Sequence, residues 1–258
     1  MGKLDNRVAI ITGASAGIGK QVAIRFAEEG ANVAICARHM EKLAVTKAEC
    51  EARGAKVVAM ICDVRKLEDM KAFVEETARV LGGIDILYNN AMSFSGDPKP
   101  LVEQSDEELE EFFVSGLLST FRMMKLCFPY LRNSGHGKVI CIGSGAGVAG
   151  ESGMGTYGCI KEGIRALSRT AAREWGQYNI NVNTINPGAV TEAIWDAMAD
   201  WPEEERDPMK MGFNPTCIGR LGDPYEDIAP VAVFLASEDS RHITGQTIMA
   251  EGGVTMTA

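Results

Sequence analysis

Residues 8–19 read Val8-Ala9-Ile10-Ile11-Thr12-Gly13-Ala14-Ser15-Ala16-Gly17-Ile18-Gly19, and the architecture follows from them. The first five are apolar or β-branched without polar alternation, the pattern of a strand covered on both faces. Three glycines in a TGxxxGxG spacing come next and lead straight into a segment of helical period. Strand, glycine turn and helix N-terminus in that order make a place for a pyrophosphate. Glycine lets the backbone turn sharply and approach the ligand, while free N–H groups and the positive end of the helix attract its charge. A glycine turn that merely packs strand on helix is the plainer alternative.

The alternation continues outward from this turn. Short apolar runs at 8–12, 32–36, 57–62, 84–88, 138–142, 181–185 and 247–249 predict strands. Segments of helical period lie between them at 18–29, 40–53, 67–81, 106–131, 156–178 and 225–236. This βαβ pattern predicts an α/β protein: one Rossmann-type, doubly wound parallel sheet in a single domain over 1–258. Alternation fails only at 189–220, whose later part is rich in Trp, Met, Pro and Glu. An irregular segment of that length is more often functional than filler, and it is expected to form a substrate lid.

Composition excludes several classes. The chain has 258 residues, 46% hydrophobic and 24% charged, which is ordinary for a globular protein. Acidic residues outnumber basic ones 35 to 26 for a net charge of −9, so there is no overall basic field to hold a nucleic acid. No apolar run approaches the length of a membrane span. Seven cysteines without a CxxC pair, several inside apolar runs, fit a reducing cytoplasm, and no metal site is expected.

Further candidates lie where the predicted strands end. After the second strand the chain reads Cys36-Ala37-Arg38-His39. A carboxylate there would accept the ribose hydroxyls of NAD; instead Arg38 offers a planar fork to a 2′-phosphate, and Ser15 can add a hydroxyl donor. NADP(H) is the expected cofactor, against the reading of Arg38 as a solvated loop cation. Asp63-Val64, past the third strand, reads either as an adenine contact or as the N-cap of the helix at Leu67. Asn89-Asn90, past the fourth, reads as a ligand contact or as an asparagine turn.

Ser144, Tyr157 and Lys161 are the catalytic candidates. Tyr157 and Lys161 are four apart, so a helix presents both on one face. A free tyrosine titrates near pH 10, and a neighbouring ammonium favours its ionised form. Ser144, at the end of the fifth strand, can donate a hydrogen bond to a developing alkoxide.

Together, TGASAGIG, the Asn89-Asn90-Ala91 run, Ser144 thirteen positions before Tyr157, the YxxxK pair, and Asn186-Pro187-Gly188 with Thr191 resemble the short-chain dehydrogenase/reductases. The resemblance spans the whole chain. It implies Tyr157 as general acid/base, Lys161 binding the nicotinamide ribose, and Ser144 orienting substrate. It also implies cofactor contacts from Gly13, Ser15, Ala16, Gly17, Ile18 and Gly19 on the phosphate side, from Arg38, Asp63 and Val64 on the adenosine side, and from Asn90, Tyr157, Lys161, Pro187, Gly188, Val190 and Thr191 on the nicotinamide side. A homotetramer is implied as well, with the helices at 106–131 and 156–178 between subunits.

Three positions depart from the family pattern. Gly116 stands where an asparagine usually holds a relay water, Met92 follows Asn89-Asn90-Ala91 in place of glycine, and Ile160 replaces the serine before Lys161. Ser115 or a second water is the expected substitute in the relay.

An apolar cover from Trp195, Met198, Trp201, Met209, Met211 and Phe213, with Ser93-Phe94 opposite, fits a bulky alcohol or ketone such as a hydroxysteroid; the same side chains would also suit an oligomer surface. The expected activity is therefore an NADP(H)-dependent interconversion of a secondary alcohol and a ketone. Its rivals are a 3-oxoacyl-thioester reductase and a non-catalytic dinucleotide-binding module.

Overall fold

The computed structural model describes residues 2–93, 98–200, 202–206 and 216–256. Seven strands among them form one sheet: β1 Val8–Thr12, β2 Asn32–Ala37, β3 Val57–Ile61, β4 Ile86–Asn89, β5 Lys138–Ile142, β6 Asn181–Pro187 and β7 Thr247–Ala250. All neighbours are parallel, in the order β3-β2-β1-β4-β5-β6-β7. The order reverses between β1 and β4, and a ligand crevice belongs outside the carboxyl ends of the strands at that point.

Strand side chains alternate between two apolar layers. Ala9, Ile11, Val33, Ile35, Ile86 and Tyr88 enter one core with helices α1 Gly17–Glu28 and α9 Ala229–Ala236. Ile10, Ala34, Cys36, Leu87, Val139 and Cys141 enter the other with α3 Leu67–Leu81, α5 Ser119–Ser134 and α7 Gly155–Trp175. Burial on both faces is why these strands read as unbroken apolar runs. Helix α2 Met40–Glu51 joins β2 to β3. At the end of α3, Gly82 takes φ of 89°, a left-handed cap that a side chain would strain.

Two expected helices are corrected and one unexpected helix is found; the helix expected over 225–236 is a π-helical turn Pro224–Ile228 followed by α9. The helix expected over 106–131 is three pieces: α4 Asp106–Phe112, a wide π-helical turn Phe113–Leu118, and α5. The extra residue in that turn breaks the helical register beside α7, which a periodicity of 3.6 does not anticipate. A short helix, α6 Gly145–Ala149, follows Ser144 where no helix was expected. Within 189–220, α8 spans Glu192–Ala197 and a 3-10 turn spans Glu203–Glu205.

Candidate active site

The glycine turn is fixed by neighbours as much as by its own glycines. Thr12, 2% exposed, accepts at its Oγ1 from the N–H groups of Asn90 and Ala91 (3.1 and 3.0 Å). The Asn90 amide donates back to the carbonyls of Thr12 and Gly13 (3.0 and 3.1 Å). Asn90 thus laces the end of β4 to the turn after β1 rather than making a local asparagine turn. Gly19 shows how tight the lacing is. A Cβ there would lie 2.5 Å from Asn90 Nδ2 and closer still to the Gly13 carbonyl.

The N-terminus of α1 holds an anion drawn from far along the chain. The N–H of Gly17 donates to Glu192 Oε2 at 2.7 Å. A carboxylate at this point is the expected response to unpaired N–H groups and a positive helix end, and it stands in for the pyrophosphate that the turn was expected to take. Pro187 ends β6, and Gly188 is pinned by an N–H bond to Ala250 O (2.9 Å). Val190 donates to Gly222 O (2.8 Å), and Thr191 reaches the N-terminus of α8 with its side chain against Gly17. The phosphate turn and the 187–191 run therefore face each other.

Beside the turn lies a cavity of about 220 Å³ lined by Gly13, Ser15, Ala37, Arg38, Asp63, Val64, Arg65, Asn90 and Met92, among others. Arg38 is exposed at its rim. Asp63 is not the cap of α3, where Lys66 holds the N-cap position instead. Its carboxylate is clamped by the Arg65 guanidinium, Nε to Oδ1 at 2.9 Å and Nη2 to Oδ2 at 2.6 Å, which holds Asp63 below the usual carboxylate range. Arg65 also reaches Glu111 at 3.3 Å. Sequence reading passed over Arg65, because nothing local distinguishes it from any loop cation.

The catalytic candidates meet at the same carboxyl edge. Ser144 caps α6, its Oγ accepting from the N–H of Ala146 at 3.2 Å. Lys161, only 4% exposed, donates from Nζ to the carbonyl of Ile142 at 3.0 Å, two residues ahead of Ser144. The same Nζ lies 5.5 Å from the centroid of the Tyr157 ring. The ring of Tyr157 packs edge-on against Phe112, with centroids 6.2 Å apart. Among the described residues the Ile142 carbonyl is the one hydrogen-bond acceptor of Lys161 Nζ, and an ammonium has two further protons to direct at a polar ligand.

Gln104, also unforeseen, sets the start of α7. Its Oε1 accepts from the N–H of Thr156 (2.7 Å), and its Nε2 donates to Lys99 O (2.7 Å) and Gly153 O (3.1 Å). The residue before Tyr157 is thus tied to the segment leading into α4. The expected Ser115 substitute in the relay is corrected: its hydroxyl donates to Glu111 O (2.7 Å) and accepts from the N–H of Ser93 (3.2 Å), so it serves backbone rather than a proton path. In the expected lid, Met198 is fully buried and Trp195 is 48% exposed. Trp201, Met209, Met211, Phe213 and Phe94 lie outside the described residues.

A family model described as enoyl-(acyl carrier protein) reductase matches residues 13–255. The chain belongs to the short-chain dehydrogenase/reductases. Among curated relatives, it is 39% identical to a 12alpha-hydroxysteroid dehydrogenase of a Clostridium strain, over 98% of each chain. It is 32% identical to 3-oxoacyl-acyl-carrier-protein reductase of Staphylococcus aureus, over 96% of this chain and 98% of the other. Among solved structures, a short-chain dehydrogenase from Mycobacterium paratuberculosis bound to NAD superposes with a TM-score of 0.85 at 28% identity, covering 98% of this chain and 99% of that one. As a short-chain dehydrogenase/reductase, the protein is an oxidoreductase of the alcohol/ketone class and uses a nicotinamide dinucleotide. The Gly17 N–H, which already donates to a carboxylate, and the Lys161 Nζ both suit such a group.

Proposed function

We propose that the protein is an NADP(H)-dependent oxidoreductase interconverting a bulky apolar secondary alcohol, such as a hydroxysteroid, and its ketone. The observation that carries this reading is the Tyr157–Lys161 pair, with Lys161 Nζ 5.5 Å from the Tyr157 ring centroid and hydrogen-bonded to the Ile142 carbonyl two residues ahead of Ser144.

When bound, the dinucleotide supplies hydride to the carbonyl carbon or accepts it from the alcohol. The residues do the rest. On reduction, Ser144 Oγ donates a hydrogen bond to the substrate oxygen as negative charge gathers there. Tyr157 gives its hydroxyl proton to that oxygen, and the Lys161 ammonium stabilises the phenolate left behind. Lys161 is held for this role by the Ile142 carbonyl, and its other protons would go to the nicotinamide ribose. Gly13, Ser15, Ala16, Gly17, Ile18 and Gly19 would hold the pyrophosphate, and Asn90, Pro187, Gly188, Val190 and Thr191 the nicotinamide half. Arg38 beside Ala37 favours a 2′-phosphate, with Asp63 and Val64 along the adenosine wall.

Residues 189–220 act as the lid, with Trp195 and Met198 as apolar cover. The Clostridium relative supports a steroid, and the Staphylococcus relative supports a second reading, a 3-oxoacyl thioester. The rest of the reading is a cytoplasmic homotetramer, for which the exposed Leu109, Phe113 and Phe121 on the α4–α5 stretch offer apolar surface. The test is NADPH oxidation against a panel of ketones. Steroid ketones should outpace small 3-oxoesters, and Tyr157→Phe should lose roughly a hundredfold or more in kcat. The reverse substrate order transfers the assignment to the thioester reading; equal rates for wild type and Tyr157→Phe remove the role given to Tyr157.

A further inference from the structure

The three departures from the family pattern meet at one point. Gly116 lies buried in the π-helical turn 113–118. A Cβ built on it would come within 2.9 Å of Ile160 Cγ2, 3.0 Å of Met92 Sδ and 3.3 Å of Met92 Cγ. Such spacing is inside carbon contact distance, so the volume of a side chain at 116 is already filled from two directions. Ile160 is 4% exposed and immediately precedes Lys161; Met92 lines the cavity beside the glycine turn. Both join the apolar layer that packs α5 and α7 on the sheet.

The polar groups around this point are engaged as well. The Gly116 carbonyl accepts from the N–H of Ser119, whose hydroxyl proton is shared between the Ser115 carbonyl at 2.5 Å and the Gly116 carbonyl at 3.0 Å. The protons of the Ser115 and Ser119 hydroxyls go to backbone carbonyls within the same turn of helix. A structural water needs two to four polar partners, and position 116 offers it no side chain, while Met92 and Ile160 fill the space a side chain there would take.

We infer that Met92, Gly116 and Ile160 form one coupled apolar plug that closes the helix side of the Tyr157–Lys161 pair, so that its proton exchanges with solvent through the crevice alone. This rests on Tyr157 being the acid/base. On reduction the Tyr157 O–H bond breaks as the proton passes to the product oxygen; the phenolate regains a proton from a small buffer acid entering the crevice, which leaves as its conjugate base.

Two measurements test the plug. In thermal unfolding, Gly116→Asn should melt roughly 5 °C or more below wild type, because it overpacks the turn. The triple variant Met92→Gly, Gly116→Asn, Ile160→Ser should recover most of that loss. If Gly116→Asn alone fails to fold, folding of the triple variant decides the matter. In steady-state reduction at fixed pH and ionic strength, wild-type kcat should rise roughly threefold with imidazole before levelling. The triple variant should respond less. A Gly116→Asn protein as stable as wild type, a triple variant no better than the single one, or a wild-type kcat indifferent to imidazole overturns the inference. Activity retained by Tyr157→Phe would instead count against the assignment of Tyr157, and the melting comparison would stand by itself.

Discussion

Glu192 occupies the ground proposed for a cofactor phosphate. Its carboxylate accepts a hydrogen bond from Gly17 at 2.7 Å, and it sits 175 residues away in sequence, so no local pattern announces it. A dinucleotide bound as proposed would displace this carboxylate and overcome its charge. Glu192→Gln weakens a charged hydrogen bond to a neutral one, and NADPH affinity by fluorescence titration should tighten about fivefold. Unchanged or weaker binding would show that the carboxylate is no competitor. At the other end of the crevice, Ala37→Asp sets a negative charge beside Arg38 and should invert the preference from NADPH to NADH, read as the ratio of kcat/KM values. Tyr157, Lys161 and the glycine turn were legible because their chemistry depends on spacing within one element. The clamp of Arg65 on Asp63 and the reach of Glu192 were not, because each depends on how separate segments fall together.

At the scale of elements, the strands were read to within two residues, most easily where burial on both faces leaves an apolar run, as in β1, β2 and β5. The segment 106–131 misled for a physical reason. Its apolar spacing suits a continuous helix, yet packing against Ile160 and Met92 accommodates a wide turn at 113–118, and tertiary contact overrode local period. Helix α6 went unread because five residues of Gly, Ala and Val carry no amphipathic signal. Helix α7 carries both Tyr157 and Lys161, and its first turn depends on the amide of Gln104. Gln104→Ala removes two hydrogen bonds that join the start of α7 to the 99–104 segment and one within that segment, and kcat should fall about tenfold through misplacement of Tyr157. A merely structural contribution would lower the melting temperature and leave kcat of the folded enzyme unchanged.

Over the whole molecule, the chain just past residue 219 is fastened by charge. Arg220 pairs with Asp227, Nη1 to Oδ2 at 2.6 Å and Nη2 to Oδ1 at 2.8 Å, just ahead of α9. The guanidinium and a backbone N–H hold the Asp227 carboxyl down to about 2 from 3.8. A depressed carboxylate stabilises the fold above its unfolded value, and that contribution disappears as pH falls through its folded one. Asp227→Asn should therefore melt below wild type at neutral pH, with the gap closing as pH approaches about 2. A gap of constant size would assign the difference to packing rather than ionisation. Both partners are partly exposed, so the effect should also shrink in high salt.

The thiols complete the picture at this scale. Cys36, Cys50, Cys62, Cys127 and Cys141 are sealed inside the two apolar layers, whereas Cys159 and Cys217 face outward. Burial pushes the Cys50 thiol up to about 12, so it has almost no thiolate to offer an electrophile while the chain is folded. The molecule thereby carries a native gauge of its own opening. A colorimetric sulfhydryl reagent meets two quick sites on the intact protein, and every further equivalent consumed marks a moment when sheet and helices have parted.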